Sequence, residues 1–217
     1  MPATITRTSA SAGDGMGRGT SSRRRSCRFS SQSARKPFII GAMADERNSH
    51  LLYLVRHGQA RTQGDDADRT LTDQGQDEIE TIARWAAGAG VEPTQIRHSG
   101  KRRAEQTATI LQDRLSADEG VVVGVGLSPN DDVRLVAETL ESEQRTLMLV
   151  GHLPFLSRLI SLLLLNDADR ELIDFPTGAI ACLLRKDENW RLAWLVTPEL
   201  SVRAGFSRPK AGPHTTG

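Results

Sequence analysis

Short apolar runs alternate along the chain with stretches whose apolar residues fall on one helical face. Two of the runs end alike: Leu51–Val55 leads into Arg56 and His57, and Thr146–Val150 leads through one glycine to His152. An apolar run of this length, closed by glycine, is typical of a buried strand. The carboxyl ends of strands in an α/β sheet commonly carry ligand sites. We therefore expect the two histidines to meet at one edge of a sheet.

Helical spacing predicts the elements between the strands. Thr72 is the expected N-cap of a first helix, whose buried face carries Ile79, Ile82 and Ala86. Further helices are predicted with apolar faces over residues 104–115, 133–140 and 155–165. The first of these ranges places Arg103 in the opening turn of its helix.

Other strand-like stretches complete the pattern. Residues 95–98 and 121–125 are predicted strands, and residues 178–184 and 190–196 flank a polar turn that predicts a hairpin. Strands and helices therefore alternate through most of the chain. We predict a three-layer α/β fold, with a mostly parallel sheet flanked by helices and a hairpin near its end.

Charge is unevenly placed along the chain. The 28 Lys and Arg residues nearly balance the 27 Asp and Glu residues, but eight of the basic residues and only one acid lie within residues 1–42. That segment is rich in Ser, Thr and Gly and has no apolar periodicity, which predicts disorder. We expect a disordered basic leader over residues 1–48, a folded domain over 49–200 and a flexible tail over 201–217.

Three interpretations of the basic leader are open. A targeting peptide fits its Ser and Arg content and its near absence of acids. A nucleic-acid-binding tail fits least well, because Arg23–Arg25 is an isolated basic cluster with few aromatic residues around it. The interpretation that we favour is a start codon assigned too far upstream, since Met43 lies just ahead of the first strand.

Cysteine content and hydropathy argue against several classes of protein. Cys27 and Cys182 are the only cysteines, so neither a disulfide framework nor a thiolate metal site is indicated. The longest apolar stretch, Leu159–Leu165, is too short to span a bilayer. Asp65–Asp68 is a weak candidate for a cation site and is better interpreted as a solvated loop. We expect a cytoplasmic protein with no metal, no other cofactor and no membrane partner.

Arg56, His57, Arg103 and His152 together have the chemistry of a phosphoryl-transfer site. Guanidinium groups match the geometry of a phosphate and keep their charge at any relevant pH. A neutral imidazole nitrogen is a competent nucleophile toward phosphorus. A second histidine can stabilise the charge that develops on the transferring oxygens. The set indicates phosphoryl transfer through a covalent phosphohistidine intermediate.

Four motifs, in this order, resemble the histidine phosphatase superfamily. They are Arg-His-Gly at 56–58, Leu-Thr-x-x-Gly at 71–75, Ser-x-x-x-Arg-Ala-Glu-Gln-Thr at 99–107 and Gly-His-x-Pro at 151–154. The resemblance covers residues 49–200 and is greatest to the SixA-type phosphohistidine phosphatases. It implies a phosphoglycerate mutase-like fold without a large cap insertion. It also implies that His57 is phosphorylated and that the phosphate pocket is lined by Arg56, Arg103 and His152.

The motif around Arg103 shows which of two adjacent arginines belongs to the site. It also differs from the family pattern at one position. Arg102 directly precedes Arg103, and the match to Arg-Ala-Glu-Gln-Thr selects Arg103. The family usually has Ser-Pro after the second strand, where this chain has Ser99 and Gly100. His98 lies just before them, and we expect it to be structural or exposed.

The intervals between the motifs are filled by predicted scaffold elements, which leaves no room for a capping subdomain. An open, shallow site suits a phosphoryl group on a protein surface, so the expected substrate is a phosphohistidine-bearing protein such as a phosphotransfer domain. An imidazole leaving group can already carry its proton, which makes a strong general acid less necessary. Asp131 and Asp132 are candidates for a general acid, although helix capping explains them better.

Two other functions are open at this point. The same four residues would serve a phosphomonoesterase for a small phosphorylated metabolite, with Asp131 or Asp132 as its acid. A phosphate-dependent binding module would instead show no turnover, and its basic leader would recruit a partner or nucleic acid. We favour the phosphohistidine phosphatase, for which nucleic acid is not an expected partner.

Overall fold

The computed structural model describes residues 50–203 and 205. The strands of this part of the chain are β1 (His50–Arg56), β2 (Gln95–His98), β3 (Val121–Val123), β4 (Leu147–Gly151), β5 (Ile180–Lys186) and β6 (Asn189–Val196). Its helices are α1 (Asp73–Gly88), α2 (Arg102–Leu115), α3 (Val133–Ser142), α4 (Phe155–Leu165) and α5 (Pro198–Arg203). The whole of the predicted basic leader, together with most of the predicted tail, falls outside the described residues.

The six strands form one sheet in the order β3-β2-β4-β1-β5-β6. The first four strands in that order run parallel, and β5 and β6 form an antiparallel hairpin beside β1. Helices pack on both faces of the sheet. The predicted three-layer α/β fold and the terminal hairpin are therefore confirmed. The register of β1 and β4 pairs Arg56 with Gly151, so the residues that follow the two strands leave the sheet side by side.

Strand β1 is buried on both faces, because successive strand residues point to opposite sides of a sheet. Tyr53 and Val55 pack in the layer that contains α1 and α2, whereas Leu52 and Leu54 pack in the layer that contains α3 and α4. Each of these four residues is at most 1% exposed. Within the described residues, no helix combines the length and the apolar character needed to cross a bilayer.

Two local predictions are wrong. The strand predicted over residues 121–125 already ends at Val123, which pairs with His98, the last residue of β2. Residues 201–203, assigned to a flexible tail, instead complete helix α5, where Ser201 is buried. This helix has six residues, too few for a helical apolar period to be recognised in the sequence.

Candidate active site

The pairing of β1 with β4 brings His57 and His152 together just beyond the carboxyl ends of the two strands. The backbone N–H of His57 donates to the Gly151 carbonyl at 3.2 Å, which continues the parallel ladder by one residue. The two imidazole rings lie 4.8 Å apart between centroids and are tilted by 54°. The histidines therefore meet at one sheet edge, as their positions after the two apolar runs predict.

The hydrogen bonds of His57 define its tautomer. Nδ1 lies 2.7 Å from the Gly58 carbonyl oxygen, which can only accept, so Nδ1 carries the proton. Nε2 then has a free lone pair, and the Nε–H of Arg103 donates to it at 3.3 Å. Nε2 is thus the unprotonated nitrogen and faces the cationic side of the site.

Burial and neighbouring positive charge keep the His57 imidazole neutral. Burial is the main cause that lowers the pKa of His57 to about 4, and the hydrogen bond to the Gly58 carbonyl only partly opposes it. The guanidiniums of Arg103, Arg56 and Arg69 lower this pKa further. His57 is neutral at pH 7, which is the form that can act as a nucleophile.

His152 is held by Ser99, a residue with no role in the sequence-based site. The Nε2 atom of His152 lies 2.5 Å from Ser99 Oγ. Its Nδ1 is buried and has no hydrogen-bond partner within residues 50–203. Burial, followed by the neighbouring His57 and Arg103, lowers the pKa of His152 to about 3. The motif that begins at Ser99 was the signal that could have identified this contact.

The first turn of α2 separates two adjacent arginines. The side chain of Arg103 is 6% exposed and reaches His57. The side chain of Arg102 is 53% exposed and pairs with Glu105 at 2.8 Å. Successive residues of a helix face different directions, so only one of the two can enter the site. The structure places Arg103 there, as the motif indicates.

Arg56 reaches the site from the last position of β1. Its Nη1 donates to the Phe175 carbonyl at 2.7 Å, and its Nε is buried without a hydrogen-bond partner in the described structure. Burial lowers the pKa of Arg56, and the nearby Asp174 opposes that shift. Because the ordinary pKa of a guanidinium is far above 7, Arg56 stays charged. Arg56 therefore adds positive charge beside His57, whose pKa it lowers.

Two uncharged residues of α2 hold the segments around His57. Gln106 Oε1 accepts a hydrogen bond from the Leu71 N–H at 2.8 Å. Thr107 Oγ1 accepts one from the Gly58 N–H at 3.2 Å. The Gln-Thr pair of the third motif therefore fixes the backbone next to the first and second motifs.

The glycine of the second motif is required by a close approach. Thr72 caps α1 by accepting from the Gly75 N–H at 3.0 Å, which confirms the predicted N-cap. A Cβ atom added at Gly75 would lie 2.2 Å from the Gln59 carbonyl oxygen. Only glycine lets the start of α1 pack this closely against the loop that follows His57.

At positions 99 and 100 this chain has Ser-Gly where the family usually has Ser-Pro, and the glycine contacts His98. The Gly100 N–H donates to His98 Nδ1 at 3.2 Å, a bond that proline could not make. Gly100 also has a φ of +83°, which proline cannot adopt. His98 is 5% exposed, and burial lowers its pKa. Its contacts are those of a structural histidine rather than an exposed one.

The two candidate general acids make capping and turn contacts. Asp132 is the N-cap of α3 and accepts from the Arg134 N–H at 3.0 Å. Asp131 accepts from the Ser128 N–H at 2.8 Å. These are the contacts that the capping interpretation expects. A role for either carboxylate as a general acid stays a prediction.

The acidic loop is exposed to solvent, as the solvated-loop interpretation expects. Within it, the Asp66 carboxylate also forms ion pairs with Arg69, Lys101 and Arg103. Lys101 lies 35 positions further along the chain, and no motif signals the contact. Among the described residues, no group of three or more His, Cys, Asp or Glu side chains could hold a metal ion.

The arrangement can bind a tetrahedral anion in front of a nitrogen nucleophile. Guanidiniums donate charge-assisted hydrogen bonds to phosphate oxygens. Partial burial strengthens these interactions compared with bulk water. The unprotonated Nε2 of His57 lies within the same cluster of donors. The site therefore has the parts needed for transfer of a phosphoryl group to histidine.

Comparisons with known proteins agree with this chemistry. Residues 52–123 match the model of the Histidine phosphatase superfamily (branch 1). The phosphohistidine phosphatase SixA of Escherichia coli (strain K12) is 30% identical over 153 residues, which cover 68% of this chain and 93% of that protein.

Solved structures match over a similar span. The structure of the protein histidine phosphatase SixA complexed with tungstate has a TM-score of 0.63 at 30% identity, and the match covers 68% of this chain and 97% of that chain. A structure from Agrobacterium tumefaciens, also described as SixA, has a TM-score of 0.58 at 26% identity, over 69% of this chain and 98% of its own.

Proposed function

This chain belongs to the histidine phosphatase superfamily and is a phosphatase, and we propose that it is a metal-independent protein phosphohistidine phosphatase that works through a phosphorylated His57. The observation that carries the proposal is the tautomer of His57, whose unprotonated Nε2 faces the guanidinium of Arg103. Similarity to SixA supports the choice of substrate class.

The first half-reaction moves the phosphoryl group onto the enzyme. Nε2 of His57 attacks phosphorus while the bond from phosphorus to the substrate's imidazole nitrogen breaks. The departing imidazole keeps the electron pair of that bond and leaves neutral, because its other nitrogen already carries a proton. Arg56 and Arg103 balance the charge on the phosphoryl oxygens. The Nδ1 proton of His57 stays in its hydrogen bond to the Gly58 carbonyl.

The second half-reaction returns His57 to its starting form. A water molecule attacks phosphorus, and the bond between phosphorus and Nε2 breaks with its electron pair left on Nε2. One proton of the water stays on the attacking oxygen and the other passes to a phosphoryl oxygen, so inorganic phosphate leaves as dihydrogen phosphate. His152, whose imidazole is neutral at pH 7, supplies an N–H donor to the same oxygens in both steps.

The proposed protein substrate is inferred from the described chain between β1 and β4, which contains no subdomain that could cover the site. Between β1 and β4 the described chain contains only α1, α2, α3 and two strands, each used in the sheet or against it. A phosphoryl group carried on another protein's surface can therefore approach the site. We propose a phosphohistidine-bearing phosphotransfer domain or similar carrier as the substrate.

Phosphate release from a phosphohistidine-carrying phosphotransfer protein tests the proposal. It is measured beside para-nitrophenyl phosphate and a panel of sugar and nucleotide phosphates, all with chelator present. We expect the phosphohistidine protein to have the highest kcat/KM, and chelator to leave the rate unchanged. Higher kcat/KM for a small ester would instead identify a metabolite phosphatase, and loss of that activity on substituting Asp131 or Asp132 would identify its acid.

A further inference from the structure

The side chain of Asp66 lies at the centre of three positive charges on one side of the site. Its two oxygens accept hydrogen bonds from the side chains of Arg69, Lys101 and Arg103. Hydrogen bonds from Lys101 and Arg69 are the main cause that holds the pKa of Asp66 well below its usual range. The carboxylate is therefore ionised throughout the range in which the enzyme would work.

Asp66 contacts Arg103 twice, through different atoms. Its backbone carbonyl accepts from Nη1 of Arg103, and its carboxylate accepts from Nη2 at 3.1 Å. The third donor direction of that guanidinium, Nε–H, points to Nε2 of His57. Because a guanidinium is planar and rigid, two contacts on its far side fix the direction of the third.

The loop that carries Asp66 is also tied to α2 through its backbone. The Arg102 N–H donates to the Ala67 carbonyl at 2.8 Å. The loop and the first turn of α2 are thus held together by main-chain and side-chain contacts. The side chain of Asp66 is nevertheless 49% exposed, so it contributes little to the packed core.

We propose that Asp66 is a positioning residue for phosphoryl transfer, which holds the guanidinium of Arg103 with its Nε directed at the attacking nitrogen of His57. The proposal rests on the function proposed above for His57 and Arg103. Asp66 touches no reacting atom and acts through Arg103. Small errors in the placement of a catalytic group reduce rates strongly, which makes such a residue important for kcat.

Removal of the carboxylate has opposite effects on binding and on turnover. Asp66 is a negative charge beside an anion site, so its loss makes the site more attractive to phosphate. The same loss frees Arg103 to rotate, so the transition state is less well stabilised. We therefore expect Asp66→Ala to bind inorganic phosphate at least as tightly as the unchanged protein while its kcat falls about 10- to 100-fold.

The experiment uses the full chain, with Asp68→Ala as the matched control from the same exposed loop. The kcat and KM values are measured on para-nitrophenyl phosphate and on the phosphohistidine protein, and phosphate affinity is measured by calorimetry. Asp68→Ala should match the unchanged protein in all three quantities. Asp66→Asn, which keeps the shape but not the charge, should fall between the control and Asp66→Ala.

A double-mutant cycle with Arg103→Lys separates positioning from a merely structural role. If Asp66 acts through Arg103, Asp66→Ala changes kcat by less than about twofold in the Arg103→Lys background. Full additivity would overturn the proposal. Weaker phosphate binding together with lower kcat would also overturn it, since this pattern indicates a disordered site. A rise in kcat/KM would overturn it by showing that Asp66 blocks the anion site.

These measurements distinguish a failure of the proposed function from a failure of the positioning role of Asp66. An unchanged protein that hydrolyses small esters but not the phosphohistidine protein contradicts the substrate assignment. The effect of Asp66→Ala on kcat is then still measured on the ester. Phosphate affinity needs no turnover at all, so a loss of phosphate binding in Asp66→Ala overturns the positioning role whatever the substrate is.

Discussion

The Nε–H of Arg103 donates to Nε2 of His57 at 3.3 Å, so a buried cation directly contacts the atom that we propose as the nucleophile. The contact explains why Nε2 carries no proton, because a nitrogen that accepts this bond cannot also donate.

Arg103→Lys is expected to reduce kcat/KM by about 10²-fold or more, although the charge is kept. Lysine presents a point charge and cannot make the planar set of hydrogen bonds to His57 and Asp66. Arg102→Lys, one position earlier and paired with Glu105 at the surface, should leave kcat/KM within about twofold, since exposed ion pairs contribute little. Steady-state kinetics on one ester substrate compares the two. Equal effects at both positions would contradict the placement of Arg103.

His57→Ala should abolish turnover, because it removes Nε2, the nitrogen that accepts the phosphoryl group in the proposed mechanism. The phosphoenzyme provides the direct measurement: rapid quenching with ³²P-labelled substrate should label the unchanged protein and not the variant. The label should be stable in alkali and labile in acid, as expected of a phosphorus–nitrogen bond. Activity that survives His57→Ala would exclude the covalent mechanism.

The free energy of unfolding should fall as the pH drops from 6.5 toward 4. The pKa values of His57 and His152 are lowered from 6.5 to about 4 and about 3 in the folded protein, so the unfolded chain binds more protons in this range. The stabilising effect is complete above pH 6.5, and each pKa unit corresponds to about 1.4 kcal/mol.

Urea unfolding at a series of pH values measures this dependence. His152→Gln should flatten the pH slope between 6.5 and 4, because its buried imidazole no longer has to stay neutral. His50→Gln is the matched control, since His50 begins β1 at the end far from the site. A slope that does not differ between the two variants would show that the burial of His152 does not control its protonation.

Gly75→Ala should destabilise the fold by about 1–3 kcal/mol, because its added methyl group collides with the Gln59 carbonyl oxygen. Gly88→Ala is the control in the same helix: Gly88 is exposed at the end of α1, and alanine is the better helix former, so stability should stay equal or rise by up to about 1 kcal/mol. Thermal unfolding compares the variants. An unchanged melting temperature in Gly75→Ala would show that α1 can shift away from the loop.

The sequence predicts those features that depend on local pattern. Arg56 and His57 follow an unbroken apolar run, Arg103 lies in the first turn of an amphipathic helix, and His152 repeats the arrangement of His57. Since parallel strands end at the same sheet edge, these local facts suffice to bring the histidines together. The match to Arg-Ala-Glu-Gln-Thr then selects Arg103 over Arg102.

Other features depend on contacts between distant segments and leave no local signal. Asp66 lies in a polar loop whose sequence has no distinguishing pattern. Only the packing of that loop on α2 gives its carboxylate three cationic partners. The hydrogen bond between Ser99 Oγ and His152 Nε2 joins residues 53 positions apart, and only the motif that begins at Ser99 points to it. Helix α5 has six residues, too few for a helical apolar period, and its buried residues are Pro198 and Ser201.

The hydrogen bond from the Gly100 N–H to His98 has a consequence for protein engineering. A chimera that imports the Ser-Pro sequence of relatives at positions 99 and 100 loses both the donor and the positive φ on which His98 depends. Residues 98–100 form one exchangeable unit, and should be transplanted together or left alone. In natural sequence collections the same constraint would show as covariation, with histidine at the first position accompanying glycine at the third.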